Sequence, residues 1–436
     1  MLVFCGTAAA QTFDSTAYKQ AYKKVFEKSH FGEEFSEANK IAGLSKAWAE
    51  AKFNFANFDL VPQKNWDSIY YAFLPKVMET KTKTGYYKIL SNFYQQLNDG
   101  HSMVIAPQPL WDSLYSTVPI RTRLVDDRVL ITDLTSPNAA YKDLQPGTEI
   151  LKINGMAVQQ YTEVNIVPYV SYSTPQDKTA RVYSFFLTQG PLEEPVQLQL
   201  KTPKGKTFTA NFQREQRKNP FPMAQGFEYK KLNKDTRLLR INTFNDERLV
   251  SYLDSIFQKV PLPKQLIIDI RKNGGGNSNN GYELLGYLTD STFLTANSVI
   301  RKYRPPMRAW GMEPDELERQ QADWKPYKKP TFKGKVVVLA GPDTYSAAED
   351  FLAAFKAMGR GPVIGQTTGG STGQPLFFEL PFGGMGAVCS KRDLMVDGTE
   401  FIGIGIPPDI EINPSAENII NQKDVALEAA LQTFQK

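Results

Sequence analysis

Between Ser36 and about Asn98 apolar residues recur at helical spacing, most clearly at Tyr86, Tyr87, Leu90, Phe93, Tyr94 and Leu97, which predicts a helical region. Asn98-Asp99-Gly100 then supplies the left-handed stop that ends a helix, and His101 to Ile105 reads as the start of an extended segment. Beyond the break at Pro107 to Trp111 short β-type runs take over, at Val118 to Leu124, Arg128 to Leu134 and Glu149 to Ile153. A polar stretch from Gln213 to Pro220 closes this part of the chain. The rhythm then becomes strand-then-helix. Leu238 to Ile241, Leu266 to Ile270 and Val336 to Ala340 are apolar strands, and Asp246 to Phe257, Asn277 to Leu288 and Ala347 to Met358 are amphipathic helices. Such alternation predicts an α/β core around a largely parallel sheet. No internal repeat is apparent.

A chain of 436 residues has room for two to four domains at roughly 100–200 residues each. Its 51 basic and 46 acidic residues nearly balance, and no basic run is interleaved with aromatics, so nucleic acid is not indicated as a partner. Two cysteines, Cys5 and Cys389, exclude a disulfide scaffold, and with only His30 and His101 a zinc site built from several Cys or His is excluded too. No cofactor or metal is expected. No apolar run approaches the ~20 residues that span a bilayer. Residues 1–10 resemble the tail of a secretory signal, with Ala8-Ala9-Ala10 as an A-x-A site, although no basic residue precedes Lys19; export is the expectation.

Two segments can carry chemistry. The strand ending at Ala340 runs through Gly341-Pro342-Asp343-Thr344-Tyr345 into Ser346, which opens a helix. Ser346 and Glu349 have the spacing of a capping box, and that is one reading. In the other, a hydroxyl at a strand-to-helix turn is a nucleophile whose neighbouring N–H groups receive an oxyanion. Asp269 to Gly276 ends another buried strand in a glycine run, a second source of N–H groups or a plain βα turn. It is not a phosphate loop, because neither G-x-x-x-x-G-K-[ST] nor a complete G-x-G-x-x-G is present.

Leu144 to Gly155 resembles the "L-x-P-G-D-x-I-L-x-I-N-G" signature of PDZ domains, with Thr148 in place of Asp, which implies a PDZ-like β module over about residues 112–212. Four further signatures resemble peptidase family S41 over roughly residues 80–415. They are Leu97 to Ser102 ("L-x-D-G-H-[ST]"), Asp269 to Gly276 ("D-x-R-x-N-x-G-G"), Thr344 to Glu349 ("[TA]-x-S-A-[AS]-E") and Gly405 to Ile410 ("G-[VI]-x-P-D-[IV]"). The resemblance implies a multidomain α/β protein: a possible signal remnant (1–10), an N-terminal helical region (11–110), the inserted module (112–212) and a ClpP/crotonase-like α/β core (213–436). It implies a serine endopeptidase acting on an extended polypeptide, with Ser346 as nucleophile, His101 as general base, and the N–H groups of Ala347 and of Gly274 or Gly275 as oxyanion hole.

Departures from the family pattern narrow the branch. Gly370 stands where the serine–lysine branch has its lysine, which leaves His101 as the candidate base. Ile402 occupies the usual place of a glutamate, and Glu400, two residues earlier on the same strand face, is the substitute candidate. His30 lies outside the motifs and reads as a surface residue, Cys389 as a buried thiol, and Asp99 as an Asx-type support for the His101 loop. The competing expectation is a non-catalytic peptide- or lipid-binding protein on the same scaffold.

Overall fold

The computed structural model describes residues 14–25, 31–217, 226–258, 262–326 and 331–435; residues 1–10 and His30 lie outside them. Three helices open the main body, Glu37–Asn54, Trp66–Met78 and Lys83–Gln95 (α1). Each begins at a side chain that accepts a backbone N–H from its first turn, respectively Ser36, Asn65 and Thr82. α1 buries Tyr86, Tyr87, Leu90, Phe93 and Tyr94, the residues whose spacing predicts it. Asn98 takes φ +50°, turning the chain into the short strand Met103–Ile105 (β1).

Residues 120–212 form an antiparallel sheet in the order Ile120–Val125, Arg128–Leu134, Glu149–Ile153, Val196–Lys201, Thr207–Phe212. Asn154 and Gly155 both have positive φ, as a two-residue hairpin turn requires, and the hairpin closes by pairing Ile153 with Met156. Between the third and fourth strands the chain makes the helix Val158–Asn165, the short helix Pro175–Thr179 and a π-helical run, Ala180–Phe186.

The core is a six-stranded sheet in the order Ile410–Glu411, Val363–Gly365, Lys335–Ala340 (β3), Gln265–Asp269 (β2), Thr236–Ile241, Phe227–Lys231, parallel except for the last pair. Its central strands β2 and β3 are largely apolar because both faces are covered there. Ile268, Val336 and Val338 face the helices Arg248–Phe257, Ser278–Leu285 and Ala347–Ala357 (α2). Ile267, Val337 and Leu339 face Ala426, Ala430 and Phe434 of the C-terminal helix region. β1 belongs to a second sheet, in the order β1, Gly384–Cys389 (β5), Pro375–Leu380 (β4). The N-terminal helices pack on that sheet through Tyr94, Phe378, Leu380 and Val388, so the helical region and the core share one hydrophobic cluster. Among the described residues no helix is long and apolar enough to cross a membrane.

Phe351 of α2 is fully buried, with ring centroids 5.7 Å from Phe244 and 6.0 Å from Phe355. Phe351→Ala is expected to cost about 3–5 kcal/mol, read as a lowered denaturant midpoint. Tyr71→Ala, at a site 77% exposed, should change it by no more than about 0.5 kcal/mol.

Candidate active site

β2 and β3 are parallel neighbours, so the loops leaving their C-terminal ends, 270–276 and 341–346, arrive side by side. Tyr345 N–H donates to the Asn273 carbonyl at 3.0 Å, and Thr344 hydroxyl to the Ile270 carbonyl at 2.9 Å. Ser346 stands at the turn with φ +56° and ψ −129°, a strained conformation for a residue with a Cβ, of the kind that costs about 1–3 kcal/mol and lifts a side chain out of a tight strand-to-helix bend. Gly275, at φ +98°, packs beneath it; a Cβ there would lie 2.6 Å from Ser346 Cβ.

The Ser346 hydroxyl stands at a capping-box position, and Glu349 closes the box by accepting the Ser346 N–H at 3.3 Å. The hydroxyl lies 3.0 Å from His101 Nε2, delivered from the corner between α1 and β1. Asp99 Oδ1 fixes that corner by accepting the N–H groups of His101 (2.8 Å) and Ser102 (3.1 Å). The ring is sandwiched in place by Tyr345, stacked at 4.9 Å and 20°. Ring nitrogen Nδ1 lies 2.8 Å from Ser371 Oγ, and the Ser371 carbonyl accepts the Ser346 N–H at 3.1 Å. Ser371 therefore touches both members of the pair. It follows Gly370, the residue at the lysine's place, in sequence, but no local pattern marks a serine whose partner is 270 positions away.

Glu349 holds this loop. Its carboxylate accepts the Gly370 N–H at 2.8 Å, the Ser371 N–H at 2.9 Å, the Thr368 hydroxyl, and the Ser346 N–H at 3.3 Å. Burial pushes its carboxyl up to about 8, against the pull of those donors. Gly370 has φ +74°, and a Cβ there would meet Gly405 N and Thr174 Cγ2 at 2.6 Å, so no side chain can project from the position.

The other expected site residues divide. Ala347 N–H opens α2 beside Ser346, and neither it nor the Gly274 N–H has a hydrogen-bond partner among the described residues. Gly275 N–H is engaged by Asn273 Oδ1 at 2.9 Å, which leaves Gly274 as the donor of the pair. The structure does not bring Glu400 to His101: it is half-exposed and lies 3.5 Å from Arg392, which also pairs with Asp59. Cys389 is a buried free thiol at the end of β5, pushed up by burial. Among the described residues no group of three or more His, Cys, Asp or Glu is placed to hold a metal ion.

Residues 235–412 match peptidase family S41. The chain is similar in fold to mature CPAF complexed with lactacystin (15% identity, 91% of this chain and 97% of that one, TM-score 0.71). It is also similar to the photosystem II D1 C-terminal processing protease (17%, 88% and 96%, TM-score 0.53) and to a putative peptidase from Parabacteroides merdae (19%, 92% and 97%, TM-score 0.55).

Burial, reinforced by the charges of Arg181 and Lys391, pulls the His101 imidazole from its usual 6.5 down to about 3. Below pH 6.5 the unfolded chain protonates this histidine and the folded one does not, so its contribution to stability is complete above 6.5 and is lost as pH falls toward 3. The expected slope is about 1.4 kcal/mol per pH unit. Denaturation of His101→Gln and wild type from pH 7 to 4 checks this: the wild type should lose stability more steeply with acid, and parallel curves would refute it.

Proposed function

We propose that this serine peptidase, whose residues 235–412 are a peptidase family S41 domain, is an endopeptidase using Ser346 and His101, with Ser371 holding the imidazole. The observation that carries the reading is the unbroken chain Ser346 Oγ, His101 Nε2, His101 Nδ1, Ser371 Oγ, at 3.0 and 2.8 Å. A neutral imidazole with its proton on Nδ1, donated to Ser371 Oγ, presents the Nε2 lone pair to the Ser346 hydroxyl. Nε2 takes that proton as Ser346 Oγ bonds to the scissile carbonyl carbon, and the oxyanion falls to the N–H groups of Ala347 and Gly274. The imidazolium returns its proton to the leaving amine as the C–N bond breaks. Water, deprotonated by the same nitrogen, then hydrolyses the acyl-enzyme and restores the Ser346 hydroxyl.

The module at 112–212 is read as a PDZ-like domain that captures polypeptide. The edge strand Ile120–Val125 is faced by the π-helical run, Thr122 donating its hydroxyl to the Tyr183 carbonyl, so a peptide pairing there must displace that run. Glu400, engaged with Arg392, has no part in the proposed chemistry. A second reading, a peptide-binding protein on the same scaffold, is favoured by one observation: the partner of His101 Nδ1 is a hydroxyl rather than a carboxylate, which stabilises an imidazolium less.

Wild type should be labelled covalently by a fluorophosphonate probe, and Ser346→Ala should not. His101→Ala should remove casein hydrolysis, and Ser371→Ala should lower kcat by about one to three orders of magnitude with little change in KM. Glu400→Gln should match wild type. Absence of labelling in folded wild type would return the chain to the binding reading.

A further inference from the structure

β1 is an edge strand, and the side it turns away from β5 faces the inserted module. At its end Ala106 directs its N–H to the Tyr115 hydroxyl (3.0 Å) and accepts Trp111 Nε1–H (2.9 Å), so this residue's peptide groups point outward, away from the sheet. Alternation along a strand turns the N–H and C=O of Val104 the same way. Val104 is 7% exposed, and no group among the described residues meets that outward pair. Buried peptide groups left this way are rare and call for a partner.

A cavity of about 130 Å³ lies along this edge, walled by Met103 and Val104 on one side and by Val170, Phe186 and Gln189 of the module on the other. Gln189 Nε2 is fully buried there without a hydrogen-bond partner. The remaining walls are mixed, with Tyr87, Leu114 and Ile166 giving an apolar stretch beside the polar Lys88, Asn165 and Arg181, and a cavity of ~150 Å³ is enough to take up a benzene ring. The cavity adjoins the surroundings of the site already described through two residues. Met103, which lines the cavity, opens β1 two residues after His101, and Arg181, which also lines it, sits 4.8 Å over the Tyr345 ring that stacks on His101.

We propose that the open edge of β1 is the docking strand for the polypeptide substrate: the chain pairs with the Val104 peptide groups, the Gln189 amide donates to one of its carbonyls, and an aliphatic or phenyl side chain fills the cavity. The inference rests on the peptidase reading for the identity of its occupant. It turns the unpartnered groups and the empty volume into one subsite, formed only where the module meets the sheet.

The test is made on the full chain carrying Ser346→Ala, so that binding is read without turnover, by fluorescence anisotropy of a fluorescein-labelled polyalanine peptide with one central leucine and of its counterpart with aspartate. The leucine peptide should bind at least about tenfold tighter, and Val170→Trp, which fills the cavity, should weaken it by about tenfold or more. Gln189→Ala, a milder change, should weaken both peptides and serves should Val170→Trp fail to fold. Equal or undetectable binding of the two peptides, or unchanged binding in the folded variants, overturns the proposal. Loss of the catalytic reading registers separately, as a wild type that fluorophosphonate does not label.

Discussion

The buried carboxylate of Glu349 is the contact on which the site depends. It sits one turn inside α2 and gathers the N–H groups of Ser346, Gly370 and Ser371 with the Thr368 hydroxyl. Thr368 in turn exchanges hydrogen bonds with Ile406. One side chain thus fixes, relative to the strained Ser346, both the 368–371 loop and the terminal Gly405-Ile406 segment. Burial raises this carboxyl to about 8 even though donors converge on both of its oxygens, so it is held as a hydrogen-bonding hub, and removing any one donor leaves an oxygen under-satisfied.

Around that anchor the chain is packed too tightly for ordinary side chains. Gly275 clears the underside of Ser346, and Gly370 clears Gly405 and Thr174. The crowding at Gly370 leaves no room for a side chain to project from the 370 position: a lysine there would need both a left-handed backbone and space that Thr174 occupies. The His101 imidazole enters from the corner that leads into β1 of the second sheet, and its neutral form is favoured by burial.

The inserted module is part of the site's frame. Ser173 Oγ accepts the Gly100 N–H, Thr174 donates to the Gly369 carbonyl, and Gln176 donates to the carbonyls of Thr368 and Ile404. Arg181, paired with buried Asp177 at 2.6 Å, lies over Tyr345. A short helical stretch of the module therefore touches the loops that carry His101, Ser346 and Ser371. Any movement of the module against the sheet is transmitted to His101 through Tyr345 and Gly100, and this is also where the cavity opens.

The sequence by itself determined the local elements and the class of chemistry. Helical spacing marked α1, the apolar runs marked β2 and β3, the left-handed stop at Asn98 placed His101 at a corner, and the serine at a strand-to-helix turn marked Ser346. These were legible because each depends on residues within one or two turns of each other. Tertiary structure alone decided what was remote in the chain. The partner of His101 Nδ1 is Ser371 and not Glu400, because β1 pairs with β5 and carries the ring to the 368–371 loop, while Arg392 holds Glu400 aside. Glu349, legible as half of a capping box, became the site's anchor only when the 368–371 loop folded onto it. The unpaired edge at Val104 and the cavity beside it exist only where two separately patterned regions meet, and no periodicity along a chain records such a meeting.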